Sequence, residues 1–251
     1  AIDEGRRQGA FRADHLLHLR CEVSDPATMA LVDATAGHAL TRLVSVMDHT
    51  PGDRQSPDID RWFAHMIHEM EVDEVTGREM MDDLLERSRT RGAEVRAHVV
   101  ASATAAGVTI MSHDDRTEAH VDQAVAEGIH VSEFPTTLTA ARHARARGMS
   151  IVAGAPNYLR GGSQSGNVAV VELLAEGLVD MFASDYVPRS LLDAAFRWLH
   201  ITQLAARGYV QQAIDYGAAS MGLRPETSIG VEIAARVGLL SAPFAPAIGL
   251  V

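Results

Sequence analysis

The sequence predicts an α/β fold on parallel strands, and three observations carry the prediction. Short apolar runs alternate with longer stretches whose apolar residues recur every three or four positions. The apolar runs end in polar residues. Glycines stand where the helical stretches should stop, at Gly107, Gly128, Gly148 and Gly177. The repeating unit is therefore strand, polar loop, helix, glycine, strand. In one chain such repetition gives either a doubly wound open sheet or a (β/α) barrel, and both gather their active site at the carboxyl ends of the strands.

Candidate strands are 16–23 (LLHLRCEV), 43–49 (LVSVMDH), 108–113 (VTIMSH), 129–134 (IHVSEF), 149–154 (MSIVAG) and 179–184 (VDMFAS). Helical stretches lie at 26–41, at 58–106 as two or three helices, and at 117–127, 137–147, 167–177 and 189–206. Asp25-Pro26 and Ser190 read as helix starts. The first strand runs into CEVSDPAT with no glycine fingerprint of the dinucleotide type, which sets aside a Rossmann cofactor domain and favours the barrel. Six strands fall short of the eight in a TIM-type (β/α)8 barrel. Because the chain opens in what reads as a helix, two βα units at the amino end are expected to lie outside it. The expected organisation is a barrel segment over 1–206, about six βα units, and a segment over 207–251 with no assigned role.

Composition narrows the function. The 251 residues make one large domain or two small ones. No uncharged apolar run is long enough to span a bilayer, and the opening AIDEGRRQGAFRADH is charged and amphipathic, so neither a membrane span nor a secretory leader is expected. A single cysteine, Cys21, excludes an intrachain disulfide and a cysteine-cluster metal site, and the expected location is cytoplasmic. The net charge of −11 speaks against nucleic acid as a partner, since such binding needs a basic face to displace phosphate counterions. All 22 basic residues are arginine. Schiff-base lysine chemistry, a Walker-type phosphate lysine and a carbamylated lysine between metals are thereby removed. Any anion clamp must use arginine, backbone N–H groups or a metal ion. The 12 histidines are about twice the ordinary share of roughly 2%, enough for some to be ligands.

Polar residues collect at the strand ends: Glu22, Asp48-His49, His113-Asp114-Asp115, Glu133, Asn157 and Asp185. Residues two apart on a strand share a face, so His18, Arg20 and Glu22 point one way, as do Met47 with His49, and Met111 with His113 and Asp115. A barrel aims these sets inward. Carboxylates and imidazoles converging there suit one or two divalent ions with mixed N/O ligands, Zn²⁺ or Mn²⁺, with a position left open for water. The competing reading of any one of these residues is a hydrogen-bonded polar group of the barrel interior. Convergence of four strand ends is what favours the metal.

The loop Arg160-Gly161-Gly162-Ser163-Gln164-Ser165-Gly166-Asn167 reads as leading into a helix, where exposed N–H groups and hydroxyls would cradle a phosphate. Its plain alternative is a flexible connection. His65 and His68 lie three apart on a helix, far from any metalloprotease signature, and read as solvated. His15, His38, His98, His120, His143 and His200 are assigned no chemistry, and the acidic run Glu69, Glu71, Asp73 and Glu74 reads as a solvated helix end.

Taken in order, HLRCEV (18–23), MDHTPG (47–52), SHDD (112–115), EFPTT (133–137), GAPN (154–157), RGGSQSGN (160–167) and SDYVP (184–188) resemble one family over about residues 9–206. It is the amidohydrolase-superfamily diphosphatases of the C-P lyase phosphonate pathway. The resemblance implies a metal-dependent hydrolase that cleaves alpha-D-ribose 1-methylphosphonate 5-triphosphate to the 5-phosphate and pyrophosphate. It implies Glu22 as a carboxylate bridging two ions, which the absence of lysine supports, His49 and His113 as later histidine ligands, and Asp185 as the last-strand aspartate ligand. Asp185 would also take the proton of the attacking water. Arg20, Arg54 and Arg160 are the candidates to receive phosphate oxygens, with Asn157, Gly161, Gly162, Ser163 and Asn167 beside them.

Two departures qualify the resemblance. Nothing of the form HxH or HTD precedes Glu22, and Gln164 stands where the family carries histidine. The missing ligands then lie upstream, or come from another polypeptide such as a second copy, or the site works with a single metal. Two other functions stay open: a different amidohydrolase reaction such as deamination or cyclic-amide hydrolysis, and a non-catalytic barrel that binds an anion or a partner.

Overall fold

The computed structural model describes residues 1–163 and 166–197. Six strands form: β1 (Leu17–Glu22), β2 (Thr41–Met47), β3 (Thr109–His113), β4 (Val131–Glu133), β5 (Ser150–Gly154) and β6 (Met181–Ala183). Every neighbouring pair is parallel and the order is β1-β2-β3-β4-β5-β6. A doubly wound sheet reverses its strand order part-way. This order never reverses, and the sheet curls as a barrel wall does.

The helices are α1 (Ile2–Arg7), α2 (Ala27–Thr35), α3 (Ile59–Glu69), α4 (Glu74–Ala105), α5 (Glu118–Ala126), α6 (Leu138–Ala146), α7 (Ala155–Arg160) and α8 (Val170–Ala175). Local chemistry sets their ends. Asp58, Asp73, Thr117 and Thr137 each cap a helix by accepting a backbone N–H of its first turn. Gly128 and Gly148, both at φ 78°, close α5 and α6 in the left-handed region, and the next residues' N–H groups return to Ala124 and Ala144.

The helix expected over 26–41 stops at Thr35, since Thr41 already pairs with Leu17 in the sheet. The stretch 58–106 divides into two helices at Glu71, whose φ of 53° breaks the helical path before Asp73 caps the next. α7 was not expected from the sequence; Pro156, which needs no N–H partner in a first helical turn, starts it. Residues 190–197 are helical. The rest of the stretch 189–206, the segment 207–251, Gln164 and Ser165 lie outside the described residues.

Alternation along the strands splits the apolar side chains between two clusters. Val44, Val46, Ile110 and Ile151 face the helices, where they pack with Val95, Val99, Val121, Ala140 and Leu173. Met111, Val131, Val152 and Met181 form a smaller cluster on the inner face of the sheet. α4 supplies the outer layer only through its second half, and Arg96 there makes a bidentate ion pair with Glu127 at the end of α5. Above the inner cluster, toward the carboxyl ends of the strands, the inner face turns polar. Among the described residues, no helix is long and apolar enough to cross a membrane.

Candidate active site

The inward residues of β1 reach their partners across the sheet. His18 Nε2 lies 2.6 Å from Ser45 Oγ on β2, and an Arg20 nitrogen lies 3.4 Å from His113 Nε2 on β3. Glu22 Oε2 lies 2.6 Å from His49 Nδ1, while its Oε1 accepts the His49 N–H and the Ser24 hydroxyl. Burial opposes ionisation of Glu22, but these bonds from His49 and Ser24 outweigh it and hold the carboxyl below its ordinary range.

The other ring nitrogen of His49, Nε2, faces Asp114 Oδ2 at 3.6 Å, and His113 Nδ1 faces the same oxygen at 2.9 Å. His49, His113 and Asp114 thus offer ligand atoms that all lie within 4.8 Å of one another. His113 Nδ1 and Asp114 Oδ2 are buried and, although 2.9 Å apart as an ion pair, neither has a hydrogen bond of good geometry. Buried polar atoms without such bonds are costly, and a divalent cation between them would satisfy both, so the donor set fits a borderline metal. Burial pushes the His113 imidazole toward its neutral form, but the carboxylates of Asp114 and Glu133 more than offset this and raise its pKa.

Backbone strain builds this arrangement. Asp114, Phe134 and Asp185 follow β3, β4 and β6 with φ of 55°, 57° and 49°, a region that non-glycine residues adopt at a cost. At Asp114 the kink turns its carboxylate toward the histidines. It also overturns the expectation that Asp115 shares a face with His113, because the period-two alternation ends with the strand. Asp115 is fully buried, its Oδ1 accepting from Ser112 and Arg54 and its Oδ2 from Ser132.

Of the residues expected in the metal site, His49 and His113 belong to the cluster, and Glu22 is joined to it through His49. Asp185 stands apart: its Oδ1 lies 3.8 Å from Arg20, whose guanidinium separates it from His113. Asp114 and the buried Glu133 are additions that the sequence reading left unassigned. Their signal was present in SHDD and EFPTT, as acids at strand ends.

The expected substrate residues divide likewise. Arg54 is 4% exposed and one of its nitrogens is bound to Asp115 and the His113 carbonyl, so it braces the strand end from behind. Asn157 joins the Val168 carbonyl to the Val170 N–H, and Asn167 donates to the Gln55 carbonyl; both hold loops. The glycine loop lies between two helices: its start closes α7, and α8 begins at Val170, shortly after Asn167. Gly161, at φ 82°, is the left-handed cap of α7, and the N–H groups of Gly161 and Gly162 both return to Asn157. Arg160 is exposed, donates to the Tyr186 hydroxyl at 2.6 Å, and lines a cavity with Ser163, Asn167, Asp185, Tyr186 and Asp114.

No family model matches the chain. A curated enzyme does. Over 197 residues the chain is 40% identical to the alpha-D-ribose 1-methylphosphonate 5-triphosphate diphosphatase of Escherichia coli strain K12, and the alignment covers 78% of this chain and 52% of that enzyme. The resemblance carried by the ordered motifs is thereby borne out, and the chain spans about half the length of the relative it matches. A solved structure of a cube-shaped, highly porous protein cage designed by fusing symmetric oligomeric domains covers 96% of this chain and 95% of its own. At 14% identity and a TM-score of 0.27 that likeness carries no argument.

Proposed function

We propose that this chain carries the metal-binding face of an alpha-D-ribose 1-methylphosphonate 5-triphosphate diphosphatase, with its curled sheet forming part of an amidohydrolase-type (β/α)8 barrel. The observation that carries the metal-dependent reading is the cluster of His49, His113 and Asp114, with its two buried polar atoms that lack a hydrogen bond of good geometry. The substrate is supported by the likeness to the E. coli enzyme. A cytoplasmic location fits a chain with a single cysteine, Cys21, which has no partner for an intrachain disulfide.

His49, His113 and Asp114 would hold a Zn²⁺ or Mn²⁺ ion, and Glu22 would steady it as the carboxylate partner of His49 or as a further ligand. The ion would supply Lewis acidity toward phosphate oxygens and make a nucleophile available near neutral pH. Asp185, at the cavity and 3.8 Å from Arg20, would accept the proton of the attacking water. Arg20 orients Asp185 and offers its remaining N–H groups to phosphate oxygens, as Arg160 does from the loop closing α7. In a protein of net charge −11, these arginines supply the local positive charge that a triphosphate needs.

The test is pyrophosphate release from the ribose triphosphate by the protein supplied with Zn²⁺ or Mn²⁺, with and without chelator. Chelator-sensitive release of pyrophosphate is expected. Binding of metal without any release, or hydrolysis of a cyclic amide or release of ammonia in its place, would overturn the diphosphatase reading.

A further inference from the structure

The cavity beside the cluster is lined by both buried and exposed polar groups. Its buried carboxylate is Asp114, 3% exposed, while Arg160 and the phenol of Tyr186, with Asp185 beside them, are exposed. The left-handed turn at Asp185 leads directly into Tyr186, which is 60% exposed. Its polar contact is the bond from Arg160 Nη1 to its hydroxyl at 2.6 Å. A guanidinium has only donors, so the phenol oxygen must be the acceptor. The single hydroxyl proton is then left to point elsewhere, and among the described residues no acceptor takes it.

We propose that Tyr186 is a substrate-binding residue that donates this proton to a non-bridging oxygen of the polyphosphate end remote from the cation, alongside Arg160. The buried carboxylate of Asp114 repels an anionic chain unless a cation lies beside it, so the phosphate remote from that cation belongs on the exposed side, where both donors are. Arginine beside the phenol favours an anionic oxygen over a ribose hydroxyl. The inference rests on the triphosphate reading above and gives a role to a residue of the SDYVP motif that had none.

The test is calorimetric titration of the metal-loaded protein and its Tyr186→Phe variant with tripolyphosphate, and separately with methylphosphonate. The exposed ring is kept, so folding is unaffected. Tripolyphosphate binding is expected to weaken about tenfold, the effect of losing one hydrogen bond to a charged group, with methylphosphonate affinity unchanged. In turnover the variant should show a raised KM and a kcat close to that of the parent. Equal tripolyphosphate affinity for parent and variant would overturn the role of Tyr186 alone. A selective loss of methylphosphonate binding would place the phenol at the other end of the substrate and also overturn it. A parent protein that binds no tripolyphosphate would overturn both this role and the triphosphate reading.

Discussion

The turn after β3 sets two aspartates side by side in opposite circumstances. Asp115 is fully buried and receives donors on both oxygens, from Ser112, Arg54 and Ser132. Asp114 is 3% exposed, yet its Oδ2 has no well-aligned donor and is met only by two imidazoles, His113 at 2.9 Å and His49 at 3.6 Å. A buried carboxylate with a full set of donors braces the fold. One with an unmatched oxygen stores electrostatic cost that a cation can relieve. The same residue type therefore serves structure on one side of the turn and chemistry on the other, and substitutions should separate the two.

The largest effect belongs to the brace. Asp115→Ala leaves Arg54 buried without its carboxylate, so the unfolding free energy of the metal-free protein should fall by about 3–5 kcal/mol, read from urea denaturation. Arg54→Met should fall in the same range from the other side of the pair. A change below about 1 kcal/mol in both would show that the network does not brace the strand end.

Next comes Asp185, on the exposed side of the site. Asp185→Asn keeps size and suits the left-handed backbone, but the amide cannot accept a proton. Turnover should drop by about 10²-fold or more while stability changes by less than about 0.5 kcal/mol. Undiminished pyrophosphate release would remove Asp185 from the chemistry and leave it as a turn residue before Pro188.

Asp114→Asn sharpens the contrast directly. It removes a buried charge whose partner is the His113 imidazole at 2.9 Å and whose Oδ2 no well-aligned donor satisfies, so the metal-free protein should lose less stability than Asp115→Ala does. Affinity for Zn²⁺ should weaken at least about tenfold, since even partners one shell further out contribute that much. Competition against a chromophoric chelator measures it. A variant that binds zinc as tightly as the parent would place the ion elsewhere.

Much of this was legible in the sequence because strand periodicity is local. The six strands, the glycine stops and the inward set His18, Arg20 and Glu22 all follow from spacing, and the cross-sheet contacts of that set agree with it. The failures occur where the backbone leaves its regular path. At Asp114 a φ of 55° ends the alternation, so counting by twos placed the wrong aspartate with His113. At Ala155-Pro156 a six-residue helix begins inside what reads as a loop, so the glycine stretch that leads toward α8 also closes α7, and its first N–H groups are taken up by that closure. Arg54 was misplaced for a different reason: an arginine after a strand end looks available for phosphate, and only tertiary packing against Asp115 shows that it is already engaged.

The smallest effect is expected at the cavity mouth. The N–H groups of Gly161 and Gly162 are already bonded within the end of α7, so they cannot cradle an anion, and among the described side chains of this loop Arg160 is the cation that can. That residue is exposed and its substitution should leave stability unchanged, unlike Asp115. Arg160→Ala is expected to raise the dissociation constant for pyrophosphate about tenfold, the order of one charge-assisted contact. Arg160→Lys should recover only part of the loss, because an ammonium cannot reach two phosphate oxygens in the planar fork that arginine offers. Titration of the parent and both variants checks this. If all three bind pyrophosphate equally, the loop closing α7 is a connection without a role in recognition, and Arg20, beside Asp185, becomes the next arginine to substitute.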